Sequence, residues 1–169
     1  MKYFSLDSWD TLYSDNKNAM EYETYLSRFR MLLPKNMQSL TDRNSDISLN
    51  DSTVQSIETL TQEQKVEIFL NGRWVKETVV GPRIFRLEYK GVTRVTSAVA
   101  SNLHGLFDGG YGVHGFDEVE VLAAGLFEHR MLFSSGIEIS VQFSDFVLDY
   151  TDPHPVNLRD DLLNTDTFS

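Results

Sequence analysis

The chain has 169 residues, 41% of them hydrophobic and 12% aromatic, with no cysteine and a formal net charge of −10. That length and apolar content fit one domain with a sizeable core, not a disordered chain, and no run approaches the ~18 apolar residues a membrane helix needs. Without cysteine, disulfides, iron–sulfur clusters, thiolate zinc sites and thiol catalysis are all excluded.

Residues 1–43 are predicted to be helical. Tyr22, Leu26, Phe29 and Leu33 recur on one face of a 3.6-residue repeat, Asn18 and Glu21 resemble a capping pair, and Pro34 reads as a stop. Trp9, Leu12 and Tyr13 form a short preceding helix or an anchoring turn in this reading. An aromatic stripe at helical spacing is expected to dock on a sheet.

From about Asp46 the period becomes two. Val66, Ile68 and Leu70 make a strand, Asn71-Gly72 signals a hairpin turn, and a strand near Trp74–Val80 ends at Gly81-Pro82. Phe85, Leu87 and Tyr89 alternate with Arg86, Glu88 and Lys90, and Val92–Val95 continues that strand or opens another across Gly91. Residues 101–116 hold five of the ten glycines and read as a loop. Leu126–Phe133 and Ile137–Phe143 flank Ser134-Ser135-Gly136 as an antiparallel hairpin, and Phe146–Tyr150 adds an edge strand. Without helical stretches between the strands, parallel βαβ units are not expected. The fold class is α+β, an N-terminal helix packed on a mostly antiparallel β-sheet. One domain spans 1–150, comprising the helical segment 1–43 and a β-rich part 46–150, followed by an acidic tail over 151–169.

Charge is distributed unevenly. Residues 1–45 carry six bases and six acids and residues 46–96 seven of each, whereas 97–169 carry twelve acids against Arg130 and Arg159. Such a field repels nucleic acid and anionic lipid and attracts a basic partner. The opening residues Met1–Asp7 lack an apolar leader, so a cytoplasmic protein is expected.

Few constellations point to chemistry. The glycine segment carries no Lys or Arg to meet a phosphate. His104, Asp108 and His114 share it at spacings of four and six, which match no helical zinc motif, and a flexible loop loses entropy on ordering around an ion. No cofactor or metal is expected. His129 alternates with Phe127, Met131 and Phe133, the pattern of a hydrogen-bonded histidine inside a sheet. No serine sits in a Gly-x-Ser-x-Gly elbow, and no catalytic residue is assigned. Glu118 and Glu120 project from one strand face beside Asp117, an arrangement suited to solvent or to a basic partner.

The stretch Ile47–Ile57 followed by Val66–Leu70, and then Phe85–Tyr89 with Lys90-Gly91-Val92, resembles a pattern in immunity proteins of bacterial polymorphic toxin systems and related uncharacterised bacterial families. The similarity spans residues 47–150 at most. Asn50 stands where that pattern usually has histidine, so no role of that histidine transfers, and Asn50-Asp51-Ser52 is itself a good turn sequence. The resemblance implies a non-enzymatic protein that occludes a cognate toxin, often a nuclease with a basic groove. The corresponding candidate contacts are Asp108, Tyr111, Phe116, Asp117, Glu118 and Glu120. Two other classes stay open: a small-molecule, carbohydrate-binding or hydrolytic protein using the glycine-rich loop, and a structural or assembly protein.

Overall fold

A computed structural model of the chain describes residues 1–5, 17–42, 45, 47–76, 79–99 and 110–152. The acidic tail beyond 152, most of the glycine segment, and Trp9, Leu12 and Tyr13 lie outside them. Helix α1 spans Lys17–Phe29 and runs into a 3₁₀ turn at Arg30–Leu32, and a short α2 spans Lys35–Leu40. Eight strands follow among the described residues: β1 (Thr53–Leu60), β2 (Lys65–Lys76), β3 (Val79–Lys90), β4 (Arg94–Val99), β5 (His114–Ala123), β6 (Leu126–Phe133), β7 (Ile137–Phe143) and β8 (Asp145–Thr151). All pair antiparallel, in two four-stranded sheets ordered β1-β2-β3-β8 and β4-β7-β6-β5. The α+β class stands, with the strands divided between two sheets instead of lying in one. Among the described residues no helix is long and apolar enough to cross a membrane.

The sheets face each other over one apolar core. Val66, Ile68, Leu70, Phe85, Leu87 and Tyr89 come from one sheet, and Phe127, Met131, Phe133, Ile139, Val141 and Phe143 from the other. The chain passes between sheets at a corner where Gly91 and Ser144 meet: the Ser144 amide donates to the Lys90 carbonyl at 3.0 Å. Gly91 has φ +57°, and a Cβ there would stand 2.1 Å from Ser144 Oγ, so the backbone favours glycine and any side chain would displace the serine hydroxyl. Val92 belongs to this turn, and the strand after Gly91 is a separate one in the second sheet.

Four local readings change. Pro34 occupies the N-cap of α2: α1 gives way after Phe29 to the 3₁₀ turn, and that turn stops at Leu33, which the following proline holds in extended backbone (φ −72°, ψ 154°). Asn18 lies within α1, which includes Lys17, so the Asn18–Glu21 pair does not mark its start. Asn71-Gly72 is not a turn: β2 continues through it, paired with β3 as far as Lys76↔Val79. Gly72 is needed there because a Cβ would lie 2.5 Å from Ser52 Oγ and 2.7 Å from Phe85 Cε2. Gly81-Pro82 likewise falls inside β3. Trp74 covers the Gly81 backbone, and Pro82 stands beyond the stretch of β3 that β8 pairs with, where its missing N–H breaks no ladder on that side.

Gly72→Ala is expected to destabilise the protein by about 1–3 kcal/mol through overpacking against Phe85, measured by chemical denaturation.

Candidate functional site

Strand β5 organises the site. Its outer edge does not pair with another full strand; α1 covers it. Two tyrosines three residues apart on the helix reach the amides of two residues on the strand. Tyr22 Oη accepts from the Val119 N–H at 2.7 Å, and Tyr25 Oη accepts from the Val121 N–H at 2.8 Å. Burial raises the Tyr22 phenol above its ordinary range, so the hydroxyl stays neutral.

Glu118 and Glu120 share one face of β5, as alternation places them, but both are occupied inside the molecule. Glu118 is only 1% exposed, and its carboxylate accepts from three consecutive amides: Lys2 at 2.8 Å, Tyr3 at 2.6 Å and Phe4 at 2.8 Å. Successive N–H groups converging on one anion form a nest, here built by the N-terminal segment around a side chain. Arg130 from β6 adds its guanidinium at 3.6 Å from Glu118 and 2.8 Å from Glu120, and also bonds Glu128. Lys2 Nζ lies 3.4 Å from Glu120.

The two candidate aromatic contacts are also packed inward. Phe116 stacks on Phe4 with centroids 4.8 Å apart, and Tyr111 tilts against Phe133 at 5.4 Å. Asp108 lies outside the described residues, as does His104. Elsewhere in the acidic half, Asp149 bonds Arg86 at 3.1 Å, Asp152 bonds Arg83 at 2.6 Å, and Glu138 meets the Met1 amino group. Most of the described carboxylates of this half are thus in contact with this chain's own arginines, Lys2 or N-terminal amine and amides.

The opposite face of β5 carries a buried polar chain. In a regular strand His114 and Asp117 would point to opposite sides. A bulge between His114 and Phe116 inserts one residue relative to β6 and turns His114 to the side of Asp117. His114 Nε2 then lies 3.9 Å from Asp117 Oδ1, and His129 Nε2, from β6, lies 3.7 Å from Oδ2. On the other side of His129, Nδ1 is 2.7 Å from the Tyr89 hydroxyl, reaching across to the first sheet. The tautomer with Tyr89 O–H donating to Nδ1 directs the His129 Nε2–H toward Asp117. Both histidines and Tyr89 are fully buried, and Asp117 keeps 22% of its side chain exposed.

Burial holds the His114 imidazole below its ordinary value of 6.5, outweighing the attraction of Asp117. For Asp117 burial favours the neutral acid, but the adjacent His129 and His114 imidazoles prevail and hold the carboxyl below 3.8. At neutral pH the site is thus an ionised carboxylate between imidazoles, of which His114 is neutral. No ring nitrogen of His114 has a hydrogen-bond partner, nor has His129 Nε2.

His114 and Asp117 lie at one wall of an open cavity of about 700 Å³, lined also by Phe4, Tyr22, Leu40 and Leu49. Its rim includes the turn at Asn50-Asp51-Ser52, where Ser52 N–H bonds the Leu49 carbonyl at 3.1 Å and Asp51 takes φ 62°. That turn is pinned to β5 by Asp51 N–H on the His114 carbonyl at 2.9 Å and His114 N–H on the Ser52 carbonyl at 2.7 Å. Among the described residues no group of three His, Asp or Glu side chains is arranged to hold a metal ion.

Of this site, His129 was legible as a histidine at an apolar position of a hairpin. Tyr89 read only as core, and the partnership of His114 with Asp117 depends on a bulge that has no sequence signal. No protein-family model matches the chain, and no curated protein sequence matches it.

Glu118→Ala is expected to cost about 2–4 kcal/mol and to make residues 1–5 susceptible to proteolysis, because three amides and Arg130 lose their acceptor. As for pH, a depressed histidine pKa means that the unfolded chain takes up the proton first. Stability should be full above 6.5 and fall as pH drops below it, with the Asp117 contribution lost only below 3.8. His114→Gln should flatten the decline in Tm between pH 7 and 5, as read by thermal melts.

Proposed function

We propose that the chain is a non-enzymatic protein-binding module, an inhibitor of the immunity type that neutralises a basic, nuclease-class partner in the cytoplasm by covering it. One observation carries this reading. Strand β4 is the terminal strand of its sheet, hydrogen-bonded to β7 alone among the described residues, and it exposes Val95 (41%) and Val99 (57%) with Arg94 as its only charged side chain. An apolar edge without a guarding lysine or proline is a template for strand addition by an extended segment of another protein. The long-range field supports the same reading. Internal pairing uses up local carboxylates but cancels equal charges, so the net charge of −10 is unchanged and still steers a basic partner at low salt. Contact therefore moves from the acids of β5 to the edge of β4, at the other end of the same sheet.

The test is affinity capture with tagged full-length protein, at low and then high salt, beside a Val95→Lys/Val99→Lys variant. Both positions are exposed, so the variant should fold with an unchanged melt. A basic protein held stoichiometrically by the wild type should bind the variant on the order of tenfold more weakly. Equal retention would remove β4 from the interface. Partner-free oligomers lost in the variant would assign the edge to self-assembly.

A further inference from the structure

The cavity beside His114 and Asp117 has a chemistry that the strand edge does not use, and β5 and β4 are opposite ends of their sheet. We propose that this cavity binds a small organic cation, an ammonium or guanidinium group on an apolar or aromatic body.

The carboxylate argues for it first. The Asp117 side chain is 22% exposed at the cavity, and its ion-pair neighbours within 4.0 Å are His114 and His129, both beyond hydrogen-bond length. No lysine or arginine is among the described residues that line the cavity, whose remaining ionisable members are the acids Glu23, Asp42 and Asp51. A largely buried carboxylate whose neighbours are imidazoles at 3.7 and 3.9 Å has room for a ligand that brings a full positive charge.

His114 is the second, independent observation. It is fully buried against the cavity, yet neither ring nitrogen is hydrogen-bonded. In its neutral form His114 carries a proton on one ring nitrogen and an acceptor lone pair on the other. The 3.9 Å between His114 Nε2 and Asp117 Oδ1 is too long for a direct bond. A donor group with two N–H bonds spans such a gap at ~2.8 Å to each acceptor, subtending roughly 90°. An ammonium or guanidinium supplies those two protons, whereas a hydroxyl supplies one.

The walls fit the rest of the ligand. Phe4, Tyr22 and Phe116 present aromatic surface, which attracts a cation and packs an apolar body. The volume of about 700 Å³ falls in the usual range of small-molecule sites.

The experiment titrates full-length protein at pH 7 with phenethylamine and agmatine, and with 2-phenylethanol as the neutral counterpart, by calorimetry and by the His114 imidazole resonances. At least one amine should bind with Kd below 1 mM, at least tenfold tighter than the alcohol, and shift the His114 signals. Asp117→Asn should abolish that preference. Equal binding of amine and alcohol overturns the proposal, as does an unchanged amine affinity in Asp117→Asn. Absence of any binding up to several millimolar, the result for a pocket that holds water only, overturns it as well. Should Asp117→Asn fail to fold, the wild-type comparison of amine with alcohol decides alone. Loss of partner capture in the β4 variant leaves this titration unchanged, so the two proposals fail separately.

Discussion

An exposed strand edge has to be satisfied, and in this protein the solution at β5 organises much of the rest. The amides of Val119 and Val121 point away from β6 and would meet water or another chain. Tyr22 and Tyr25 supply neutral hydroxyl acceptors at helical spacing, and this fixes the rotation of α1 about its axis. Leu26, one turn beyond Tyr22, is thereby buried, while Met20 on the outer side stays 67% exposed. The N-terminal segment completes the cover, because Tyr3 and Phe4 pack on Tyr22 and their amides close on Glu118. Helix, N-terminus and strand edge are one cooperative unit, held by hydrogen bonds whose loss would leave buried groups unsatisfied.

The same unit explains the charge distribution. Seventy-three residues with twelve acids and two arginines look like a docking face in one dimension. In three dimensions Arg130 stands among Glu118, Glu120 and Glu128, and Arg86 among Glu67, Glu88 and Asp149. Each arginine serves several carboxylates because cross-strand neighbours converge on its planar fork. Several of these carboxylates are buried, so breaking one pair leaves a buried charge uncompensated. Glu118 and Glu120 are paired within the chain, while the net charge that acts at a distance is unchanged.

Bulging β5 has the opposite effect on its inner face. It brings together groups that would satisfy each other only at shorter range, and so keeps His114 and Asp117 polar and underbonded next to a cavity. Structural polar networks close their hydrogen bonds, as Tyr89 and His129 do at 2.7 Å. The contrast between the closed end and the open end of one chain of side chains marks the open end as the place for a ligand.

Local pattern was enough for the β6–β7 hairpin, the edge strand β8, the turn at Asn50-Asp51-Ser52 and the buried face of α1 at Tyr22 and Leu26. In each case period or turn chemistry is a property of neighbours along the chain. Gly72 and Gly81-Pro82 misled because their glycines answer to Phe85 and Trp74 on a facing strand, a constraint that no window of adjacent residues contains. At β5 the shared strand face of Glu118 and Glu120 was legible but their fate was not, since their partners, Arg130 and the amides of residues 2–4, are distant in sequence. Composition and periodicity determined the antiparallel α+β character and the sign of the field. Which carboxylates remain free, which face His114 takes and where a cavity opens were decided only when a bulge, a helix and the N-terminal segment met on one strand, because hydrogen-bond satisfaction and burial are properties of groups brought together in space.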